Sequence, residues 1–114
     1  MHEAIYRRLI EVAKAERTTY YSEIAPMADL DMDSQADRNA IADILDEISR
    51  HEHAEGRPLL SVVVVHKGEG TPGNGFFDMA RSVGVMQRAD DRVTFFAREL
   101  GQVHDAWRTA KARQ

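Results

Sequence analysis

A glycine-rich stretch, residues 66–77, is where the sequence concentrates groups that could bind a ligand. It reads HKGEGTPGNGFF and has the spacing Gly-x-Gly-x-x-Gly between an apolar run and a predicted helix. In that context glycines let the backbone approach a pyrophosphate. However, Pro72 removes one amide donor, the preceding chain lacks the βα repeat of a dinucleotide-binding unit, and no Gly-Lys-Ser/Thr follows. We therefore predict no nucleotide or other cofactor.

Two interpretations of this stretch remain open. The amides of residues 74–77 lie at a predicted helix N-terminus, which favours an anion, with His66 and Lys67 close in sequence. Alternatively the stretch is a turn, in which Pro and Gly set the backbone dihedral angles. There are more glycines than one turn requires, which favours contact with a ligand or partner. The residues predicted to form this contact loop are His66, Lys67, Gly70, Pro72, Gly73, Asn74, Gly75 and Phe76.

Acid–base side chains also gather near the loop. His66, Lys67, Glu69 and Asp78 are close in sequence, and a carboxylate that orients the imidazole would make a general base. Only sequence proximity supports this, so a small enzyme with an anion site at the loop is an alternative hypothesis. We predict no catalytic residue.

A metal site is disfavoured by spacing. His51 and His53 are two residues apart on a predicted helix, so their side chains point about 200° apart and cannot share an ion. The sequence has no Cys, which excludes thiolate ligands, disulfides and Cys nucleophiles. We predict no metal site.

The negative charge is concentrated in one part of the chain. Residues 21–56 carry ten acidic and two basic side chains, whereas the whole chain has a net charge of -4. This segment forms either a solvated helix face or a docking surface for a basic partner. Because the overall charge opposes phosphate binding, a protein partner is favoured over nucleic acid. The acidic residues on the predicted second and third helices are Asp29, Asp31, Asp33, Asp37, Asp43, Asp46, Glu47, Glu52 and Glu55.

Hydrophobic spacing predicts the elements that position these groups. In chain order they are an amphipathic helix at residues 3–16, a short β segment at 18–21, a short helix capped by Ser22, a helix capped by Ser34 or Asp37 and ending at 54–56, a buried strand at 59–66, the loop, a short helix stopped by Gly84, and a long helix from Asp90. These elements predict a single α+β domain over residues 1–114, mainly helical with a small sheet.

The long C-terminal helix has an apolar stripe at alternating spacings of three and four. A strand at 92–97 is the alternative for its first part. The stripe covers two heptads, which predicts packing on the chain's own core and leaves a homodimer through this helix as a second hypothesis. Its residues are Val93, Phe96, Leu100, Val103 and Trp107, with Phe95 on the flank.

Composition limits the cellular setting. The chain of 114 residues has a longest unbroken apolar run of Val62–Val65, which is too short to span a bilayer. The N-terminal segment has no apolar stretch typical of a signal peptide. We expect a cytoplasmic protein with no membrane contact.

Two segments resemble known proteins. Residues 57–65, followed by Gly70-Thr71-Pro72-Gly73-Asn74-Gly75-Phe76-Phe77, resemble small bacterial proteins of uncharacterised function in which a strand runs into a P-G-x-G-F loop. Residues 18–25, TTYYSEIA, resemble the T-Y-x-x-I-A segment of winged-helix modules, including alkyltransferase-like proteins. The second resemblance implies a winged-helix-like N-terminal half. Because the chain has no Cys, alkyl transfer to cysteine is excluded.

The sequence therefore predicts a non-catalytic cytoplasmic binding or accessory module that uses loop 66–77 and the acidic helix face. A winged-helix-like nucleic-acid binder is the alternative from another class. It would use basic residues away from the acidic helices, such as Arg81, Arg88 and Lys111, because the predicted third helix would repel phosphate.

Overall fold

The computed structural model describes the main chain of residues 1–112 and the side chains of residues 1–108. Five α-helices and two short strands follow one another in this order: α1 (Glu3–Lys14), β1 (Thr19–Tyr20), α2 (Tyr21–Ile24) with a 3₁₀ turn (Ala25–Ala28), α3 (Gln35–Ala54), a second 3₁₀ turn (Leu60–Val63), β2 (Val64–Val65), α4 (Asn74–Ser82) and α5 (Arg92–Ala112). The mainly helical α+β class with a small sheet is confirmed. The described residues share one hydrophobic core.

Capping explains several helix boundaries. Ser34 Oγ accepts a hydrogen bond from the amide of Asp37 at 3.3 Å, which confirms Ser34 as the cap of α3. Gly56 and Gly84 adopt positive φ just after α3 and α4, as predicted for helix ends. The prediction of Ser22 as a helix cap was wrong. Ser22 lies inside α2, which begins at Tyr21 and has no side-chain cap.

The central segment, residues 59–65, is buried along its whole length but is not the predicted continuous strand. Leu60–Val63 form the second 3₁₀ turn, and only Val64–Val65 pair, in parallel with β1. Helices α1, α3 and α5 all pack against this turn. A neighbouring strand therefore has room only beside the last two residues of the central segment, where β1 pairs. The Val-rich composition correctly predicted burial, but it did not predict the backbone conformation.

The main-chain amides of the central segment find acceptors outside a sheet. Glu99, which is 2% exposed, accepts from the amide of Leu59 at 2.8 Å. Ser49 Oγ accepts from the amide of Ser61 at 2.9 Å, and Leu59 O accepts from the amide of Val62 at 3.1 Å. A buried amide without a partner costs as much as a lost hydrogen bond, so these acceptors allow the segment to lie inside the core.

Glu52 is the second buried carboxylate, with no exposed surface. Its Oε1 and Oε2 accept from Arg57 Nε at 3.0 Å and Nη2 at 2.8 Å, and Oε2 also accepts from Tyr6 Oη at 2.8 Å. Hydrogen bonding to Glu52 raises the pKa of Arg57, and burial, with Glu52 nearby, raises the pKa of Tyr6. This network ties α1 and α3 to the chain that enters the central segment. It also removes Glu52 from the predicted acidic surface.

Helix α5 confirms the helical prediction for residues 92–97 but shifts its buried face. Val93 is 66% exposed, whereas Phe95, Glu99 and Val103 are buried at a spacing of four. Phe95 was therefore wrongly placed on the flank. The buried face of α5 is the one that carries Glu99, the acceptor for the Leu59 amide. Phe95 and Val103 lie on the same face because residues four apart share a side of a helix. The other predicted stripe residues, Phe96, Leu100 and Trp107, pack against the core and are partly buried.

The winged-helix resemblance gains no support beyond the order of the first elements. In the part of the chain that the structure describes, β2 leads into loop 66–73 and α4 rather than into the antiparallel hairpin that forms a wing. The same described residues contain no helix long and apolar enough to cross a membrane.

Replacing Arg57 by Met should destabilise the fold by about 3 kcal/mol, because Glu52 would remain buried without its cation. Urea unfolding of both proteins measures the difference. The matched control is Glu11→Gln, which breaks the exposed pair with Arg8 and should change stability by less than about 0.5 kcal/mol. Equal effects of the two substitutions would contradict a structural role for the Glu52 network.

Replacing Gly101 by Ala should stabilise the fold by roughly 0.5–1 kcal/mol. Gly101 lies inside α5, a Cβ there meets no atom within 4 Å, and its φ is not positive, so the helix gains propensity without strain. Gly84→Ala is the control, since φ is 81° there and the substitution should lower the melting temperature instead. A lower melting temperature for Gly101→Ala would contradict the placement of this residue.

Candidate functional site

Tyr21 and His66 are brought together by the register of the two strands. β1 pairs in parallel with β2, with Tyr20 opposite Val65. Tyr21 directly follows β1, and His66 directly follows β2. Their ring centroids lie 4.5 Å apart, with the ring planes inclined by 32°. Ligands in open parallel sheets bind beyond the carboxyl ends of the strands, and this pair occupies that position. The sequence singled out His66 but not Tyr21, because only strand pairing makes them neighbours.

Gly73 completes this arrangement. Its amide donates to Tyr21 Oη at 2.9 Å. A Cβ on Gly73 would lie 3.0 Å from His66 Nε2 and 3.5 Å from Tyr21 Oη, so any larger residue would displace the His66 ring by a few tenths of an ångström. Burial raises the pKa of Tyr21, while the Gly73 amide opposes the shift. Tyr21 is therefore a neutral phenol near pH 7, and its own proton remains available for donation to a ligand.

The first half of the contact loop is a turn closed by its own main chain. The amide of His66 donates to Thr71 O at 2.9 Å, and the amide of Gly70 donates to His66 O at 2.9 Å. Gly68 and Gly70 have positive φ, which a turn of this kind requires. The turn interpretation thus accounts for these two glycines and close approach accounts for Gly73. Gly75 is under neither constraint.

The contact loop and α3 face each other across a cleft of about 540 Å³, here called the main cleft. This volume lies in the range of small-molecule sites. Both the contact loop and α3 contribute residues to its buried apolar lining and to its polar rim. The apolar residues are Ile41, Leu45, Phe76 and Met79, with the partly buried Met32; the polar residues are Tyr21, Gln35, Arg38, Asn39, Asp43, Asp46, Ser61, His66 and Asn74. The two surfaces that the sequence predicted separately therefore bound one cavity.

Carboxylates outnumber cations on the α3 side of the main cleft. Asp43 is exposed and makes no ion pair with any described residue, while Asp46 Oδ2 accepts from Arg50 Nε at 2.8 Å. Arg38 also lines the cleft; its Nη1 donates to the neutral Met32 O at 2.7 Å, so its positive charge remains and partly offsets these carboxylates. Asp43 is therefore the carboxylate best placed to attract a cationic ligand.

Other members of the predicted acidic surface have structural uses. Asp37 Oδ2 accepts from the amide of Asp31 at 2.9 Å, and Asp31 Oδ1 accepts from the amide of Asp33 at 2.9 Å. These bonds close the turn before α3. Together with buried Glu52, they show that local counts of acidic residues overstate the surface available to a partner.

A pair of hydroxyls lies beneath the main cleft. Ser49 Oγ donates to Ser61 Oγ at 2.6 Å, and both side chains are buried. Ser61 also lines the cleft. The sequence predicted this position only as part of the buried strand at 59–66. In the structure the residue places one hydroxyl group in the apolar lining.

A second cleft of about 370 Å³, the side cleft, shares His66, Gly73 and Asn74 with the main cleft. Arg92 enters it from the start of α5. Its Nη1 donates to Asn74 Oδ1 at 2.7 Å, and its guanidinium lies 4.8 Å from the centre of the Phe77 ring. Arg92 was not among the predicted site residues, because it is 18 positions from Asn74 in the chain.

The predicted acid–base cluster is not assembled. Lys67 Nζ lies 5.9 Å from the Tyr20 ring centre, and Asp78 Oδ1 lies 3.7 Å from Arg81 Nη1. Of the residues predicted to surround His66, only Glu69 shares a cleft with it, and no described carboxylate is hydrogen-bonded to the imidazole. The neighbours of His66 are thus an aromatic ring and a glycine backbone, an arrangement suited to holding a ligand.

The remaining loop and histidine predictions have separate outcomes. Pro72 is buried and lines the side cleft, while Asn74 is the first residue of α4, as the predicted helix start requires. Gly70 serves the turn and does not line either cleft. His51 lies 3.9 Å from Glu52. Among the residues described, no group of three His, Cys, Asp or Glu side chains is arranged to hold a metal ion.

Two of the basic residues of the nucleic-acid alternative have described side chains. Arg81 pairs with Asp78, and Arg88 is exposed in the connection to α5. The side chain of Lys111 lies outside the described residues.

Comparison with known protein families, with curated proteins and with solved structures finds no match for this chain.

Replacing Gly73 by Ala should disturb the Tyr21–His66 pair, because the new methyl group would contact His66 Nε2 at 3.0 Å. We expect large chemical-shift changes for the ring protons of both residues. Gly75→Ala is the matched control, since a Cβ there meets nothing within 4 Å and the ring signals should keep their shifts. Unchanged ring signals in Gly73→Ala would contradict the close approach.

Proposed function

We propose that the protein is a binding module whose main cleft holds a short partner segment with basic and apolar side chains. The observation that supports this most is the convergence of the acidic side of α3 and the contact loop on one cavity. Asp43 would attract the basic side chains, and Ile41, Leu45 and Phe76 would cover the apolar ones. Complementary charge aids encounter and partner choice, while apolar burial supplies affinity.

The contacts around the loop favour recognition over chemistry. Tyr21 and His66 form a fixed aromatic surface, and Gly73 exposes main chain beside it. Rigid aromatic rings lose little entropy when a partner packs on them. The hydroxyl of Tyr21 would donate to a main-chain carbonyl of the bound segment.

We further propose a cytoplasmic location. The Cys-free sequence is compatible with a reducing compartment.

A seven-residue peptide of alternating leucine and lysine, with glycine at each end and both termini blocked, is a direct probe. In an ¹⁵N NMR titration we expect saturable shifts at the amides of Asn39, Asp43, Gly73 and Gly75, which border the main cleft. The same peptide with glutamate in place of lysine should produce much smaller shifts. No shifts at these amides up to millimolar lysine peptide, or equal shifts with both peptides, would overturn the proposal.

The double variant Asp43→Asn, Asp46→Asn should weaken the lysine peptide about tenfold, since each exposed ion pair contributes roughly 0.5–1 kcal/mol. The matched control is Glu47→Gln, Glu55→Gln, which makes the same charge change on α3 and at its end but outside the cleft lining. Equal weakening in both double variants would attribute binding to net charge alone and contradict a specific site.

A further inference from the structure

We propose that the side cleft binds the C-terminal carboxylate of the segment that occupies the main cleft, with Arg92 as the cationic partner. This inference rests on the proposed function and specifies the partner's chemistry: the bound segment is the free C-terminal end of a protein chain. Basic and apolar residues would precede the carboxylate and lie along α3.

Arg92 is held ready for a carboxylate. One of its nitrogens is bound to Asn74 Oδ1, its guanidinium stacks on the Phe77 ring, and no described carboxylate lies within ion-pair distance of it. Its remaining N–H groups are free to form the paired hydrogen bonds that a guanidinium makes with a carboxylate. Because two contacts already restrain the side chain, binding would cost little further conformational entropy.

The two clefts are continuous through shared residues. His66, Gly73 and Asn74 line both, so a segment leaving the main cleft passes directly over them into the side cleft. Gly73 presents no side chain at this crossing, which lets another main chain come close. A chain terminus carries its carboxylate on the main chain itself, so the same close approach would bring the carboxylate into the side cleft. The geometry therefore favours a C-terminus over an internal acidic residue.

The side cleft also contains an opposing charge. Glu69 is exposed at its lining and would repel a carboxylate, with the repulsion reduced by solvent and salt. Glu69→Gln should therefore strengthen binding of a free carboxylate about twofold to threefold.

The test compares three forms of the leucine–lysine peptide: a free C-terminal carboxylate, a C-terminal amide, and an amide form with one glutamate next to its end. We expect the free acid to bind about tenfold more tightly than the amide, consistent with charge-assisted hydrogen bonding. Arg92→Gln should remove this difference. Arg88→Gln, which removes an exposed arginine outside both clefts, should leave the tenfold difference intact.

Each contrary result has a distinct meaning. The inference would be overturned if the free-acid and amide peptides bound with equal affinity, or if their difference persisted in Arg92→Gln. Neither result would contradict the proposed binding module. An internal glutamate that matches the free acid would overturn the choice of a chain terminus. If neither form produces shifts at the main cleft, the proposed function itself fails.

Discussion

The fold depends on burying the main chain of residues 59–65 outside a regular sheet. Each amide placed in the core needs an acceptor, and the helices around the segment supply several of them through side chains. Glu99 reaches across from α5 to Leu59, and Ser49 reaches from α3 to Ser61. Burial raises the pKa of Glu99, although the Leu59 amide opposes the shift. A carboxylate is thus kept in the core for its hydrogen bond, and the orientation of α5 follows from it.

The candidate site is a consequence of how this buried segment ends. Only its last two residues pair with β1, and the parallel register then places Tyr21 beside His66 where the chains leave the core. A parallel pair needs a crossover connection, and here α2 and α3 form it. The same connection that makes the pairing parallel therefore supplies α3 as the opposite side of the main cleft. Gly73 closes the arrangement, because without a side chain the returning loop approaches both rings and leaves them undisplaced.

The periodic elements could be predicted from the sequence, and the contacts between distant residues could not. Helix α1 follows from Ile5, Leu9 and Val12, and the loop followed from its glycines. The central segment was misassigned because valine signals burial in several backbone conformations, and the 3₁₀ turn depends on three helices packing around it. Arg92 was missed for a similar reason, since its partners Asn74 and Phe77 are remote in sequence. Glu52 was counted as surface charge because charge patterning does not show which carboxylate meets a buried arginine.

The burial of Glu52 changes which negative charges a partner could meet. With Glu52 buried and Asp37 used in a turn, the negative charge of residues 21–56 is not an evenly distributed surface. What remains at the main cleft is Asp43, with Asp46 paired to Arg50 and with the cation Arg38, next to an apolar lining. A partner recognised by total charge would bind anywhere on α3 and lose affinity steeply with salt. A partner recognised by the cleft would have to align a basic group with Asp43 and an apolar group with the cleft lining at once, so its selectivity would come from the spacing of the two groups.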